Sequence, residues 1–300
     1  MEFNKKTKRE LKKLLKYKYA WVIILIIIIV RLIPRFKFNS TEGFNTGMGP
    51  VFIYYIDVGQ ADSTLITSEF GNILIDGGEN ETENELLSFI KSKGVTTLDY
   101  VVATHPHTDH IGGLDKIINS LDVKNILMTN GLSDTTTYEK FLTSIKNKKI
   151  MPTLAKANSF FQLGELEFTI LNPVNNNYEN LNNYSISLKM NYKGRSFLFT
   201  GDAETEAENE ILGLNQNISA DVYKAGHHGS STSTSDNFLE AVNPHAVIIS
   251  CGANNPYGHP HKETIEKLNG TQVYRTDLLG TIKLETDGYR VIINDEPLKL

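Results

Sequence analysis

Thr104-His105-Pro106-His107-Thr108-Asp109-His110 follows directly on the apolar run Tyr100-Val101-Val102-Ala103 and leads into Ile111-Gly112-Gly113. A short apolar run rich in β-branched residues reads as a buried strand. The cluster is therefore delivered at a strand's C-terminal end, which in an α/β protein is the edge where ligands bind. Neutral imidazole and carboxylate are donors that suit zinc, iron or manganese. Of the eight histidines in the chain, three stand in this stretch, which marks it as a metal site rather than a solvated His-rich loop.

Two later apolar runs end the same way. Phe197-Leu198-Phe199-Thr200 leads into Gly201-Asp202, and 220–226 leads into His227-His228-Gly229-Ser230. A carboxylate after one strand and paired histidines after another can converge on the first cluster. With Asp202 counted as a bridging carboxylate and one of the paired histidines taken, the set offers six protein ligands, which suits two metals.

The surrounding pattern is short β-rich runs and amphipathic stretches. Strands are expected at 51–58, 63–67, 72–76, 98–103 and 125–128, with helices at 81–93, 113–120 and 138–146. Runs 160–163 and 166–171 read as a hairpin around Gly164. Strands at 185–192 and 196–200 flank Lys193-Gly194, and helices at 204–212, 235–242 and 261–268 then alternate with strands at 220–224, 246–250 and 272–275. Two last strands are expected at 281–285 and 289–293. Each half opens on strands and continues as strand–helix alternation. The expected class is α/β (α+β): two facing mixed sheets with outer helices, and the site at one edge.

The chain of 300 residues is 40% hydrophobic and 22% charged, enough for a sizeable core. Its one cysteine, Cys251, excludes a disulfide framework and a thiolate-rich zinc module. Charge is unevenly placed. Residues 1–37 hold 11 Lys and Arg against two Glu, so the remainder carries 19 basic and 33 acidic groups, a formal −14. Such a body argues against tight binding of duplex nucleic acid.

The N-terminus carries its own reading. Residues 1–18 are basic, and 19–30 form a charge-free run of 12 residues, shorter than the ~20 that span a bilayer. Lys18 and Arg31 can snorkel, and Tyr19 and Trp21 suit the interface. The expectation is a basic cytoplasmic segment 1–18, a single-pass transmembrane signal anchor 19–34, a linker 35–50 and an extracytoplasmic domain 51–300. A secreted protein with a cleaved signal peptide is the alternative, although no small-x-small cleavage site follows Val30.

The pattern His105-x-His107-x-Asp109-His110, then Asp202, then His227 resembles the metallo-β-lactamase superfamily and its αββα sandwich. Asp57-Val58-Gly59-Gln60-Ala61-Asp62, His227-His228-Gly229-Ser230 and Tyr257-Gly258-His259-Pro260 narrow it to the hydrolase domain of ComEC-type DNA-uptake competence proteins and their stand-alone relatives. The resemblance covers about 51–295. It implies that His105 and His107 bind a first metal and that Asp109, His110 and His227 bind a second, with Asp202 bridging. The motif favours His227 over His228 as the ligand. It implies that Asp57 buttresses the histidine loop, with Gln60 and Asp62 also supporting the site, and that His228 and His259 line the substrate side. Asn183, or Ser230, would meet substrate, and Asn183 would be a weak first-metal ligand. The chain departs from the pattern in having no histidine between Ile111 and Gly226, and in Ala61 where the family has glycine.

The implied cofactor is one or two Zn2+ ions, with Mn2+ as the alternative. A metal-bound water has its pKa lowered towards ~7 and supplies hydroxide. Asp109 or Asp202 would orient it and accept its proton, and His228 or His259 would protonate the leaving group or bind the phosphate. The expected function is a membrane-tethered phosphodiesterase or nuclease, with single-stranded DNA as a substrate. A hydrolase of another phosphodiester or ester (lipid, teichoic acid, nucleotide, lactone) and a non-catalytic tethered binding module are the rivals. No obligate protein partner is expected.

Overall fold

The structure, a computed structural model, describes residues 49–300. The expected cytoplasmic segment, the anchor 19–34 and most of the linker lie outside the described residues. Among the described residues, no helix is long and apolar enough to cross a membrane.

The first half runs β1 (Val51–Tyr55), β2 (Thr64–Ser68), β3 (Gly71–Ile75), α1 (Glu83–Ser92), β4 (Thr97–Ala103), α2 (Thr108–Ile111), α3 (Leu114–Ser120), β5 (Asp122–Met128), α4 (Thr136–Lys148) and β6 (Thr153–Leu154). The second runs β7 (Phe160–Leu163), β8 (Leu166–Asn172), β9 (Ser187–Tyr192), β10 (Arg195–Phe199), α5 (Thr205–Gly213), β11 (Val222–Lys224), α6 (Asp236–Val242), β12 (Ala246–Ile249), α7 (Lys262–Lys267) and β13 (Gln272–Arg275). Then come α8 (Thr276–Leu279), β14 (Ile282–Thr286), β15 (Val291–Ile293) and β16 (Glu296–Pro297).

One sheet has the order β16-β15-β14-β1-β2-β3-β4-β5-β6, and the other β13-β12-β11-β10-β9-β8-β7. Both are mixed: β3, β4 and β5 run parallel, as do β10 to β13, while the hairpin strands are antiparallel. The expected halves need one correction. β14 and β15 do not extend the second sheet; β14 pairs with β1, Ile53 opposite Leu284, and closes the first. The histidine stretch, expected as a loop, contains the single helical turn α2.

Alternation along each strand builds three apolar layers. Ile73, Ile75, Phe197, Phe199, Val222, Ala246 and Ile248 face inward between the sheets. Leu74 and Val101 face α1, α3 and α4 instead, through Leu86, Ile90, Leu114, Ile117 and Phe141. Leu198, Tyr223 and Val247 cover the other outer side with Ile211, Phe238 and Val242 of α5 and α6. At roughly 25 cal/mol per Å2 of apolar surface buried, these layers are the main favourable term.

A close backbone approach fixes the histidine turn to the loop after β3. Gly77 N–H donates to His110 O at 2.6 Å, and Gly113 N–H donates to Gly77 O at 3.2 Å. A Cβ at Gly112 would lie 2.5 Å from Asn80 N and 2.6 Å from Gly78 O, backbone that cannot yield cheaply. Gly112→Ala is therefore expected to destabilise the protein by about 3 kcal/mol in denaturant unfolding. Gly213→Ala, in open space at the end of α5, should change stability by less than about 0.5 kcal/mol.

Candidate metal centre

The C-terminal ends of parallel strands β3, β4, β10, β11 and β12 bring their following residues to one rim, the position at which α/β sheets place ligands. Asp109 and His110 arrive on α2, and Asp202 follows the left-handed Gly201 (φ 53°). His227 and His228 are consecutive left-handed residues, at φ 50° and 54°. This conformation is costly for residues with a Cβ and clusters at functional sites. It turns the two rings to different sides.

Asp109, His110, Asp202 and His228 form a group whose donor atoms all lie within 4.8 Å of one another. His110 Nε2 is 3.7 Å from Asp109 Oδ2 and 3.2 Å from Asp202 Oδ2. His228 Nε2 is 3.2 Å and 3.6 Å from the same two oxygens. Tetrahedral ligands at about 2.1 Å from an ion stand about 3.4 Å apart, so the spacing fits. His110 Nε2 and Asp202 Oδ1 are buried with no hydrogen-bond partner. Unpartnered buried polar atoms are costly, and a cation would satisfy both. His228, and not His227, therefore completes this group.

His105, His107 and His227 gather around the same carboxylate. His105 Nε2 and His107 Nδ1 are 3.0 Å apart. Asp202 Oδ2 lies 4.0 Å from His105 Nε2 and 3.8 Å from His227 Nε2. The same oxygen thus stands between the two clusters. His227 is anchored at the mouth by Glu204 and by Thr232 Oγ1, 3.1 Å from Nδ1.

The network behind the rings aims their nitrogens. Asp76 Oδ1 accepts from Thr104 N–H at 2.8 Å; Oδ2 accepts from Thr104 Oγ1–H and from His110 Nδ1–H, both at 2.7 Å. His105 Nδ1 is flanked by Thr104 Oγ1 and Ser185 Oγ, each 3.2 Å away. His228 Nδ1–H donates to Ser250 O at 3.0 Å. In all three rings Nδ1 is engaged behind the site and Nε2 is turned to the cluster, the arrangement typical of metal-binding histidines. The buttress expected at Asp57 is Asp76. Asp57 is exposed; its Oδ1 accepts only a local bond from Gly59 N–H, and its own N–H donates to Thr281. Asp62 is buried 3.4 Å from His228 Nδ1 and ion-paired with the buried Lys224.

The cluster floors a cavity of about 580 Å3 lined by Gln60, Glu79, Asp109, Asn182, Tyr257 and His259, among others, with no lysine or arginine in its wall among the described residues. Two expected residues do not reach it. Asn183 is consumed in holding α5: its Oδ1 accepts from Glu204 N–H at 3.0 Å and its Nδ2 donates to Glu206 at 2.6 Å. Asn182 is the amide that lines the cavity, with Oδ1 buried and unpartnered. Ser230 Oγ is turned to Thr232, 3.1 Å away, and locks the turn after His228. His259 lines the cavity, held through Nδ1 by Gln60. Ala61 is buried outside the left-handed region, so a side chain there is tolerated.

Charge is concentrated here. Burial opposes protonation of His110, but the Asp202, Asp76 and Asp109 carboxylates outweigh it and raise its pKa well above the usual range. Burial likewise opposes, and Asp202 and Asp62 outweigh, at His228, which is pushed up to about 10. Burial, with His228, His227 and His261 alongside, lowers His259 to about 4. Without metal, His110 and His228 are thus cationic at neutral pH, and an ion must displace their protons. Metal affinity is expected to rise with pH between 6 and 9, by up to about tenfold per unit for each proton released. Calorimetric titration in buffers of different ionisation enthalpy reads that release.

Sequence reasoning missed Asp76, Asn182, Glu79 and Lys224. Asp76-Gly77-Gly78 follows an apolar run just as Gly201-Asp202 does, so its signal was present. Alternation along Val222-Tyr223-Lys224 also places Lys224 inward, beside Val222 in the inner layer.

Comparison with known proteins accords with this geometry. A family model described as Metallo-beta-lactamase superfamily matches residues 56–253. ComE operon protein 3 of Bacillus subtilis is 34% identical over 248 residues, 76% of this chain and 32% of that protein. Competence protein ComA of Neisseria gonorrhoeae is 28% identical over 231 residues, 76% of this chain and 31% of that protein. The chain thus spans about a third of the length of these relatives. Among solved structures, the metallo-beta-lactamase fold protein YhfI from Bacillus subtilis superposes with a TM-score of 0.57 at 11% identity, over 79% of this chain and all of that one. With the match covering strands β2 to β12 and every residue of the four-donor group, the chain belongs to the metallo-beta-lactamase superfamily.

Proposed function

We propose that this protein is a metal-dependent phosphodiesterase, tethered to the cell membrane by residues 19–34 with its catalytic domain outside, and that it cleaves single-stranded DNA. The observation that carries the hydrolase reading is the convergence of Asp109, His110, Asp202 and His228 at the floor of an open cavity, with His110 Nε2 and Asp202 Oδ1 left unpartnered. Asp109, His110 and His228 would hold one divalent ion and His105, His107 and His227 a second, with Asp202 shared by the two sets. Zn2+ suits this set of nitrogen and carboxylate donors. A divalent ion there supplies Lewis acidity and an activated water at neutral pH. Asp109, partly open to the cavity, would orient the attacking water, and His259, which lines the same cavity beside His228, would face the substrate. The competence relatives support DNA as substrate.

A second reading rests on the cavity wall. Among the described residues it contains Glu79, Asp109 and Asp202 and no lysine or arginine, and the body beyond residue 37 carries a formal −14. A smaller diester or a neutral ester would meet less repulsion there. The detergent-solubilised full chain, assayed with Zn2+ or Mn2+ on bis(p-nitrophenyl) phosphate and single-stranded DNA, separates the two. Turnover of both supports the nuclease; turnover of the small diester alone moves the function to the second reading. Turnover of neither, with esters and lactones also inert, defeats the hydrolase reading.

A further inference from the structure

His259 sits in a frame built from three loops. The Asn255 side chain accepts from His259 N–H at 3.0 Å and donates to His259 O at 2.6 Å. The ring stacks against Tyr257, centroids 5.7 Å apart at 23°. On the ring's inner side, Gln60 Nε2 lies 3.2 Å from His259 Nδ1. Gln60 is itself fixed: Gly252 N–H donates to its Oε1 at 3.0 Å. A Cβ on Gly252 would come within 2.7 Å of Gln60 N, so this approach needs the glycine.

Hydrogen-bond polarity then runs one way. A backbone N–H only donates, so the amide atom facing Gly252 is the oxygen. The atom facing His259 is therefore NH2, which also only donates. Nδ1 must accept, and a neutral ring carries its proton on Nε2. Nε2 makes no hydrogen bond among the described residues, and the ring lines the cavity.

We propose that Gln60 is a positioning residue that holds His259 as the neutral Nε2–H tautomer, making it a hydrogen-bond donor to substrate rather than a proton donor. A neutral imidazole that released its Nε2 proton would become an imidazolate, far too basic to form at neutral pH. A ring protonated on both nitrogens would turn Nδ1–H against the Gln60 amide hydrogens. His259 therefore stabilises negative charge developing on a substrate oxygen and keeps its proton throughout. This use of the donor rests on the hydrolase reading above; the tautomer does not.

The test is the ring 15N spectrum of the full chain labelled at histidine, in detergent, with and without Zn2+. His259→Gln assigns the resonance. The Nε2–H pattern is expected from pH 6 to 8. Gln60→Glu places a carboxylate that accepts from both Gly252 N–H and Nδ1–H, so the signal should move to the Nδ1–H or doubly protonated pattern. Gln60→Ala, a second variant should the first not fold, should show a mixture. An Nδ1–H pattern in the unsubstituted protein, or an unchanged pattern in the folded variants, overturns the proposal. In kinetics, Gln60→Ala should lower kcat on bis(p-nitrophenyl) phosphate by about tenfold with a smaller change in KM; unaltered kcat in an active enzyme also overturns it. If no substrate turns over, the hydrolase reading fails, and the spectrum still decides the tautomer.

Discussion

Replacing Asp202 with alanine is expected to lower hydrolysis of bis(p-nitrophenyl) phosphate by about 10³-fold or more and to reduce bound metal to less than half that of the unsubstituted protein. One oxygen explains the size of the effect. Asp202 Oδ2 lies 3.2 Å from His110 Nε2, 3.6 Å from His228 Nε2, 3.8 Å from His227 Nε2 and 4.0 Å from His105 Nε2. Every histidine cluster at the rim meets at that atom, so its loss weakens both. The carboxylate is buried, and its pKa is held well below the usual range: burial would raise it, but His110, His228 and His105 outweigh that. It therefore enters the site as an anion over the whole working pH range. The measurement is kcat with elemental analysis on the same folded preparation, and near-normal turnover with full metal would remove Asp202 from the centre.

The second large effect is expected at Asp76. Asp76→Asn should weaken zinc affinity by about 10- to 100-fold, in a chelator competition titration, and lower stability by about 2 kcal/mol. Asp76 occupies the left-handed region at φ 60°, which asparagine tolerates, so this substitution isolates the side-chain chemistry from backbone strain. The amide oxygen can still accept from Thr104 N–H, but its NH2 then opposes His110 Nδ1–H, 2.7 Å away in the parent. Relief requires His110 to shift its proton to Nε2, the atom that faces the cluster. Asp57→Asn, far from that network, should leave zinc affinity within about twofold. Equal effects at the two positions would contradict the assignment of Asp76 as the buttress.

The sandwich was legible because apolar runs of strand length end in polar clusters and alternate with amphipathic stretches. What failed was neighbourhood. Asp57 and Asp76 both follow short apolar strands, and local sequence does not say which strand adjoins the histidine strand. β3 pairs directly with β4, Ile75 opposite Val102, so the residue after β3 reaches Thr104 and His110. β1 lies two places further away, between β14 and β2. The return of β14 and β15 to the first sheet was hidden for the same reason: the partner of Leu284 is Ile53, at the other end of the domain.

The choice between His227 and His228 depended on backbone handedness. Two successive left-handed residues send the His228 ring inward and leave His227 at the mouth, and residue type alone does not encode that turn. Asn183 and Asn182 are a similar pair. Both sit in the short turn before β9 and both donate to a glutamate, Asn182 to Glu204 and Asn183 to Glu206; only the Glu204 N–H, taken by Asn183 Oδ1, leaves the Asn182 oxygen as the unpartnered one. The composition of the ligand set was readable, and the final choice between adjacent side chains was made by the fold.

The central claim is the location of the metal, and anomalous diffraction at the zinc edge from zinc-loaded crystals tests it most directly. A strong peak is expected among Asp109, His110, Asp202 and His228, with any second peak beside His105 and His107. Zinc found elsewhere on the protein, with no peak among those four residues, would contradict it.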